Sequence, residues 1–314
     1  MAFDVRSKIL PDDTLYTCLI EEQTAGEAFV QVYWARGIRM GDAIEKSLCA
    51  ARENGLTNPT VREVDPYDIE NLEGEVYPSP EADVFFATTR YSFPPEPTFI
   101  FPTGIVPSCA EDDEANDVGE IRAGYRRSQD EEGLIEIGVN ASEPDLLRFY
   151  ERILRLHETY ETFWYLIQDH WDDSEDQIYE NSDLNTPEAI IGHLQAHRHD
   201  AVLNGFVTLT AYADEGATNV NISDHKRIVV LTYSDSVADV TEAALKDEGV
   251  SHHEDLVSFD HKIHHWHYRP SESLDRGDLI AYLTSSGFKP WNPDSESEQD
   301  SAHQPTTRRE SNFL

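Results

Sequence analysis

Lysine is scarce in this 314-residue chain: six lysines stand with 18 arginines against 29 aspartates and 32 glutamates, a formal net charge of -37. A surface so negative repels phosphate backbones and anionic headgroups, so neither nucleic acid nor a membrane is expected as a partner. Cysteine is also scarce. Cys18, Cys49 and Cys109 are an odd number without metal-type spacing, which fits reduced thiols and a cytoplasmic protein better than a disulfide framework. Apolar runs long enough to span a bilayer are missing, and Met-Ala-Phe-Asp-Val-Arg lacks the apolar stretch of a secretion signal. No glycine-rich phosphate loop occurs, and Gly104-Ile-Val-Pro-Ser-Cys109 lacks the Gly-x-Ser-x-Gly frame of a nucleophile elbow.

What is present is acidity spread along the whole chain. Dispersed carboxylates, with arginine in place of lysine, are what adaptation to a salt-rich solvent calls for. A surface that recognises a basic protein would instead gather the charge on one face.

The length suits two domains. Residues 1–107 read as an α+β domain: strands Leu15–Ile20 and Ala28–Trp34, a helix Ala43–Asn54 stopped by Gly55, then strands Thr60–Val64 and Val84–Ser92. Residues 108–140 read as an acidic linker, dense in mutually repelling carboxylates, with Arg122, Arg126 and Arg127 available to pin it to an acidic surface. Residues 141–291 form a second α+β domain. It opens with the strongest helical pattern in the chain, from Ser142 as N-cap to about His170, with Leu146, Tyr150, Ile153, Phe163, Trp164 and Ile167 on a broad aromatic face. A helix capped by Thr186 with Pro187 in its first turn ends before Gly205. Strands Phe206–Tyr212 and Arg227–Tyr233 follow, joined by a loop through Gly216 and Asn219. Then come a helix Val237–Lys246, extended segments Leu256–Phe259 and Ile263–Tyr268, and a helix Asp278–Thr284. Residues 292–314 are a polar tail with the composition of disorder. The expected fold is α+β with mostly antiparallel sheets, and both halves carry a strand-strand-helix-strand order suggestive of diverged units.

Histidine is where chemistry concentrates. His252, His253, His261, His264, His265 and His267 crowd sixteen positions. On a strand over Ile263–Tyr268, the period of two puts His265 and His267 on one face, and His264 and Trp266 on the other. Two imidazoles at i and i+2 can share a divalent ion such as zinc. His193 and His197, at i and i+4 on a helix, are a second candidate pair, and Asp169 is a further donor. Leu194 follows the first of these histidines where zinc-protease helices carry their glutamate base, which excludes that chemistry. The same His-Trp-His-Tyr pattern fits a hydrogen-bonded aromatic layer, and carboxylate neighbours would raise imidazole pKa values against metal binding. Arg269, beside the histidines, can hold an anion bidentately or tie an internal carboxylate.

Three readings follow. The first is a non-catalytic protein without a cofactor, inhibitor- or antitoxin-like, that binds a basic protein through its negative surface. The second is a metal-dependent hydrolase built on His265, His267, His193 and His197. The third is a salt-adapted protein whose charge reflects its solvent. If self-repulsion limits stability, raising KCl from about 0.1 M to about 1 M, which shortens the Debye length from ~10 Å to ~3 Å, will raise Tm in a calorimetric scan. A Tm that stays level or falls would contradict it.

Overall fold

Two segments rich in β-branched and aromatic side chains, β1 (Thr14–Gln23) and β2 (Ala28–Gly37), pair antiparallel over their full length, from Thr14 opposite Gly37 to Gln23 opposite Ala28. They open the computed structural model, which describes residues 14–24, 27–67, 76–81, 83–93, 99–108, 121–168, 176–258 and 263–291. The chain then enters α1 (Met40–Glu53), where the Asp42 carboxylate accepts the Arg39 backbone N–H at 3.1 Å. Ala43, Ile44, Ala50 and Ala51 recur at helical spacing and bury α1 against Cys18, Tyr33 and Val64. With β3 (Thr60–Pro66), β4 (Val76–Pro78) and β5 (Val84–Phe93), the first sheet has the order β3-β1-β2-β5-β4.

After β6 (Ile105–Pro107) come β7 (Gly124–Gln129), β8 (Ile135–Asn140), α2 (Leu146–Leu154), β9 (Thr162–Ile167), β10 (Gln177–Asn181) and α3 (Pro187–Ala196). Next are β11 (Val207–Ala213), β12 (Thr218–Ile222), β13 (Ile228–Thr232), α4 (Asp235–Asp247), β14 (His265–His267), α5 (Arg276–Ser285) and β15 (Lys289–Pro290), the helices being numbered here without the 3-10 turn Glu215–Ala217. Eight strands form one antiparallel sheet in the order β15-β10-β9-β11-β12-β13-β8-β7. Along β11, β12 and β13 burial alternates strictly: Val207, Leu209, Ala211, Val220, Ile222, Ile228 and Val230 enter the core with the helices, and the intervening residues are half-buried. β6 and β14 make a two-stranded ribbon, His265 opposite Pro107 and His267 opposite Ile105. Among the described residues, five helices and three mostly antiparallel sheets make this an α+β fold. None of the described helices is long and apolar enough to cross a membrane.

Four expectations are corrected. The helix expected from Ser142 to His170 is two elements. α2 starts after Asp145 and ends at Leu154, whose carbonyl accepts the Tyr160 hydroxyl at 2.8 Å. Thr162–Ile167 (TFWYLI) is instead a central strand, hydrogen-bonded to β10 on one side and β11 on the other. Its aromatic residues read equally well at a period of 3.6 or 2, and only the sheet partners decide. The loop expected through Gly216 and Asn219 contains β12; Gly216, at φ +66°, makes the turn that leads into it. The second half of the stretch read as an acidic connector is the β7–β8 hairpin, whose arginines tie down its surroundings: Arg127 reaches Asp235, Asp239 and Glu242 around α4 at 2.7–3.1 Å, and Arg122 pairs with Asp255. Leu256–Ser258 lies in no strand. Phe259 and residues 292–314 fall outside the described residues.

Gly205 is where the ribbon meets the large sheet. Its N–H donates to the Tyr268 carbonyl (2.9 Å), and the Tyr268 N–H donates to the Gly104 carbonyl (2.8 Å). A Cβ on Gly205 would overlap the Gly104 carbonyl, which is backbone and cannot swing away. Gly205→Ala is therefore expected to cost about 3 kcal/mol in a urea titration. Gly192→Ala, on the open face of α3 with nothing in reach, should stabilise by roughly 0.5–1 kcal/mol. Equal effects at both positions would contradict the close approach.

Candidate metal centre

His265 and His267 leave the same face of β14, as strand geometry requires, while Trp266 leaves the other. The Trp266 indole N–H donates to the Asp65 carboxylate at 2.7 Å, and the same oxygen accepts the Ser108 hydroxyl at 2.7 Å, so β14 is held against β3 by a charged acceptor. On the histidine side, the β12–β13 connection brings up a third imidazole. Ser223–Lys226 forms a turn closed by the Lys226 N–H to the Ser223 carbonyl, with Lys226 at φ +60°. Two contacts fix the turn from outside: the Asp224 N–H donates to the Thr208 hydroxyl oxygen, and the buried Lys226 ammonium donates to the Val207 carbonyl. His225, at the tip, then stands against the ribbon.

His225, His265 and His267 each offer a ring nitrogen, and these atoms lie within 4.8 Å of one another. The ring centroids are 4.8–5.2 Å apart. Each Nδ1 has an acceptor that carries no proton of its own: the Asp224 carboxylate for His225 (3.0 Å), the Ile263 carbonyl for His265 (2.8 Å) and the Gly205 carbonyl for His267 (2.7 Å). Each Nδ1 must therefore donate, so the neutral rings keep their lone pairs on Nε2. An imidazole oriented by a carbonyl or carboxylate on its far nitrogen is the usual outer arrangement of a metal-binding histidine. Tetrahedral zinc at about 2.0–2.1 Å from each nitrogen would hold the nitrogens about 3.3 Å apart, a separation inside the 4.8 Å within which a ring nitrogen of each histidine lies.

At His267 electrostatics favour the neutral donor. Burial pushes the His267 imidazole down to about 3, and it outweighs the upward pull of Asp224. The sequence-based expectation that carboxylates would raise the imidazoles is thus reversed at His267, because desolvation is the larger effect there. Burial likewise brings the Lys226 ammonium down to about 7, against the opposing pull of Asp224 and Glu143.

His193 and His197 are not part of this group. Their rings are 5.0 Å apart, with His193 hydrogen-bonded to the Tyr165 hydroxyl at 2.8 Å and packed against Phe288, and His197 packed on Tyr282. Both belong to an aromatic layer between α3, α5 and β9. His264 is exposed and stacks edge-on with Trp266; His252 packs on Tyr125. Asp169 and His261 lie outside the described residues. Arg269 lines a cavity with His267. A second group, Cys49, Glu53 and Glu81, sits at the surface of α1, and the neighbouring Glu81 raises the Cys49 thiol, which disfavours the thiolate a metal needs. His225 was missed as a ligand because it stands forty residues before His265, in a charged turn without histidine spacing. The one signal was Asp224 beside it, an orienting carboxylate.

No protein-family model, curated protein or solved structure matches the chain.

Burial, then the neighbouring His197, pushes His193 from its ordinary 6.5 down to about 4. The unfolded chain therefore takes up this proton first as pH falls, and stability is lost between pH 6.5 and 4. His193→Gln, which removes the titration, should lose less stability over that window in urea titrations. Parallel losses in the two proteins would refute the assignment.

Proposed function

We propose that this chain is a metal-dependent hydrolase whose His225, His265 and His267 hold a divalent ion of the zinc class. The observation that carries the reading is the convergence of three imidazoles from two separate segments, every one with its Nδ1 donated to a fixed acceptor. Imidazole ligands suit zinc, copper, nickel or iron, and a three-histidine set leaves a coordination position open, as catalytic rather than structural zinc sites do. A bound ion of this kind supplies a water of pKa about 7 as nucleophile.

The chain's own residues do the rest. Asp224 sets the tautomer of His225 and adds negative charge 4.0 Å from the His267 Nδ1. Gly205 lets the ribbon come close enough for His267 to reach its carbonyl. The Asp65–Trp266 bond keeps β14 from rotating its histidines away.

Recognition of a basic protein by the acidic surface rests on charge alone, whereas the histidine geometry is specific to one place in the chain. Salt adaptation is compatible with either. We also read the chain as two α+β units, the five-stranded sheet with α1 and the eight-stranded sheet with its helices. The ribbon that joins them would then carry two of the three ligands.

Metal analysis of untagged protein by mass spectrometry should find about one equivalent of a first-row divalent ion. His225→Ala/His265→Ala should contain none, and Asp224→Asn should weaken the affinity about 10- to 100-fold. Parent protein that neither retains nor takes up zinc at neutral pH would sink the reading.

A further inference from the structure

His267 has a second neighbourhood, a cavity of about 400 Å3, within the size range of small-molecule sites. Its wall is largely apolar, with Met40, Ile167, Phe206, Leu274 and Leu279 among it. The arginines in the wall do not set the charge of a ligand. Arg39 is held by Asp42 and by the Ser271 and Ser273 carbonyls, and Arg269 and Arg276 have partners of their own. What the wall leaves unsatisfied is amide. Asn204 lines the cavity and is 2% exposed. Its Oδ1 accepts the Phe206 N–H at 3.1 Å, and because a backbone N–H can only donate, this fixes which end of the amide is oxygen. Asn204 Nδ2 then carries two N–H donors and has no acceptor among the described residues. Gln168, also in the wall, repeats the pattern. The Thr208 hydroxyl accepts the Asp224 N–H and donates to Gln168 Oε1 at 3.1 Å, while Gln168 Nε2 has no acceptor among the described residues. A buried polar group left unpaired costs free energy, so a buried amide open at a cavity wall marks where an acceptor belongs. Neutral N–H donors set in an apolar wall select a carbonyl oxygen on an uncharged, apolar body.

We infer that the cavity binds a neutral carbonyl compound with an apolar body, its oxygen accepting from the Asn204 and Gln168 amides, and that amides or esters of this kind are the substrate class of the adjacent histidine centre. The binding half stands on the cavity and its two amides alone; the substrate half rests on the metal-dependent reading above. Asn204 immediately precedes Gly205, whose carbonyl orients His267, so one short segment places both the donor and the histidine. In the reaction the oxygen of a water bonds to the carbonyl carbon and the acyl C–N or C–O bond breaks. The amine or alcohol leaves with a proton from that water, so water is the only co-reactant.

The test uses the full chain and four probes of similar size: phenylacetamide and benzylacetone, which carry a neutral carbonyl, propylbenzene, which has none, and phenylacetate, an anion. In titration calorimetry on metal-stripped protein, at least one neutral carbonyl probe is expected to bind about tenfold or more tighter than both propylbenzene and phenylacetate. Asn204→Asp and Gln168→Glu keep the accepting oxygen and remove the donors. Each should weaken the favoured probe about tenfold and leave propylbenzene unchanged, which an unfolded variant could not do. If propylbenzene or phenylacetate binds as well as both carbonyl probes, or no probe binds, the cavity assignment is overturned, and this comparison needs no variant. Variants that both keep the full preference for the carbonyl probe overturn the role of the amides. The substrate half is read from the cobalt-loaded protein, where the favoured carbonyl probe should change the visible absorption spectrum, saturating at its calorimetric Kd. Binding with an unchanged cobalt spectrum overturns the substrate half alone. Binding in a protein that takes up no cobalt or zinc overturns the metal reading and leaves the cavity assignment standing.

Discussion

Three backbone segments cross at Gly205 with no side chain between them. The Tyr268 N–H reaches the Gly104 carbonyl, the Gly205 N–H reaches the Tyr268 carbonyl, and the Gly205 carbonyl in turn receives His267 Nδ1. The contact joins the β6–β14 ribbon to the lead-in of β11, so the position of two histidines relative to the large sheet depends on it. It also explains why a two-stranded ribbon, which would be marginal alone, holds its place: its edge is hydrogen-bonded into the chain on either side of Gly205, and its far face is tied to Asp65 through Trp266. Remove the close approach and His267 loses both its acceptor and its distance to His225.

The scarcity of positive charge gives meaning to where it is used. Arg127 bridges three carboxylates and Arg148 two, which fastens the β7–β8 hairpin to α4 and α2 to the end of α4. Exposed pairs of this kind contribute little singly. In a chain with net charge -37, they also relieve repulsion between carboxylates that the fold brings together. The buried Lys226 is different: its ammonium is desolvated beneath the turn that carries His225, with Asp224 and Glu143 as the charges that offset burial.

Much of this was legible before any coordinates. The alternation of His265 and His267 on one strand face followed from the period of β geometry, and the Thr186 cap with Pro187 marked the start of α3, which ends at Ala196, well short of Gly205. Two kinds of feature were not legible. One was local ambiguity: in Thr162–Ile167 every side chain is apolar, aromatic or β-branched, so helix and strand periods fit alike, and pairing with β10 and β11 decides. The other was long-range assembly. His225 carries no motif, and it reaches its site through contacts made by other residues, Lys226 and Thr208, which fix the turn. Conversely, His193 and His197 had good ligand spacing on a helix. Their partners turned out to be Tyr165, Phe288 and Tyr282, aromatic rings that spacing does not reveal.

In the proposed centre three imidazoles share one ion through Nε2. The most direct measurement is X-ray absorption fine structure at the zinc edge on stoichiometrically loaded protein. The expected result is three imidazole scatterers with zinc–nitrogen distances of about 2.0–2.1 Å and one lighter oxygen ligand. A shell dominated by oxygen, or one with fewer than two imidazoles, would contradict it, since zinc would then be held by surface carboxylates and not by His225, His265 and His267.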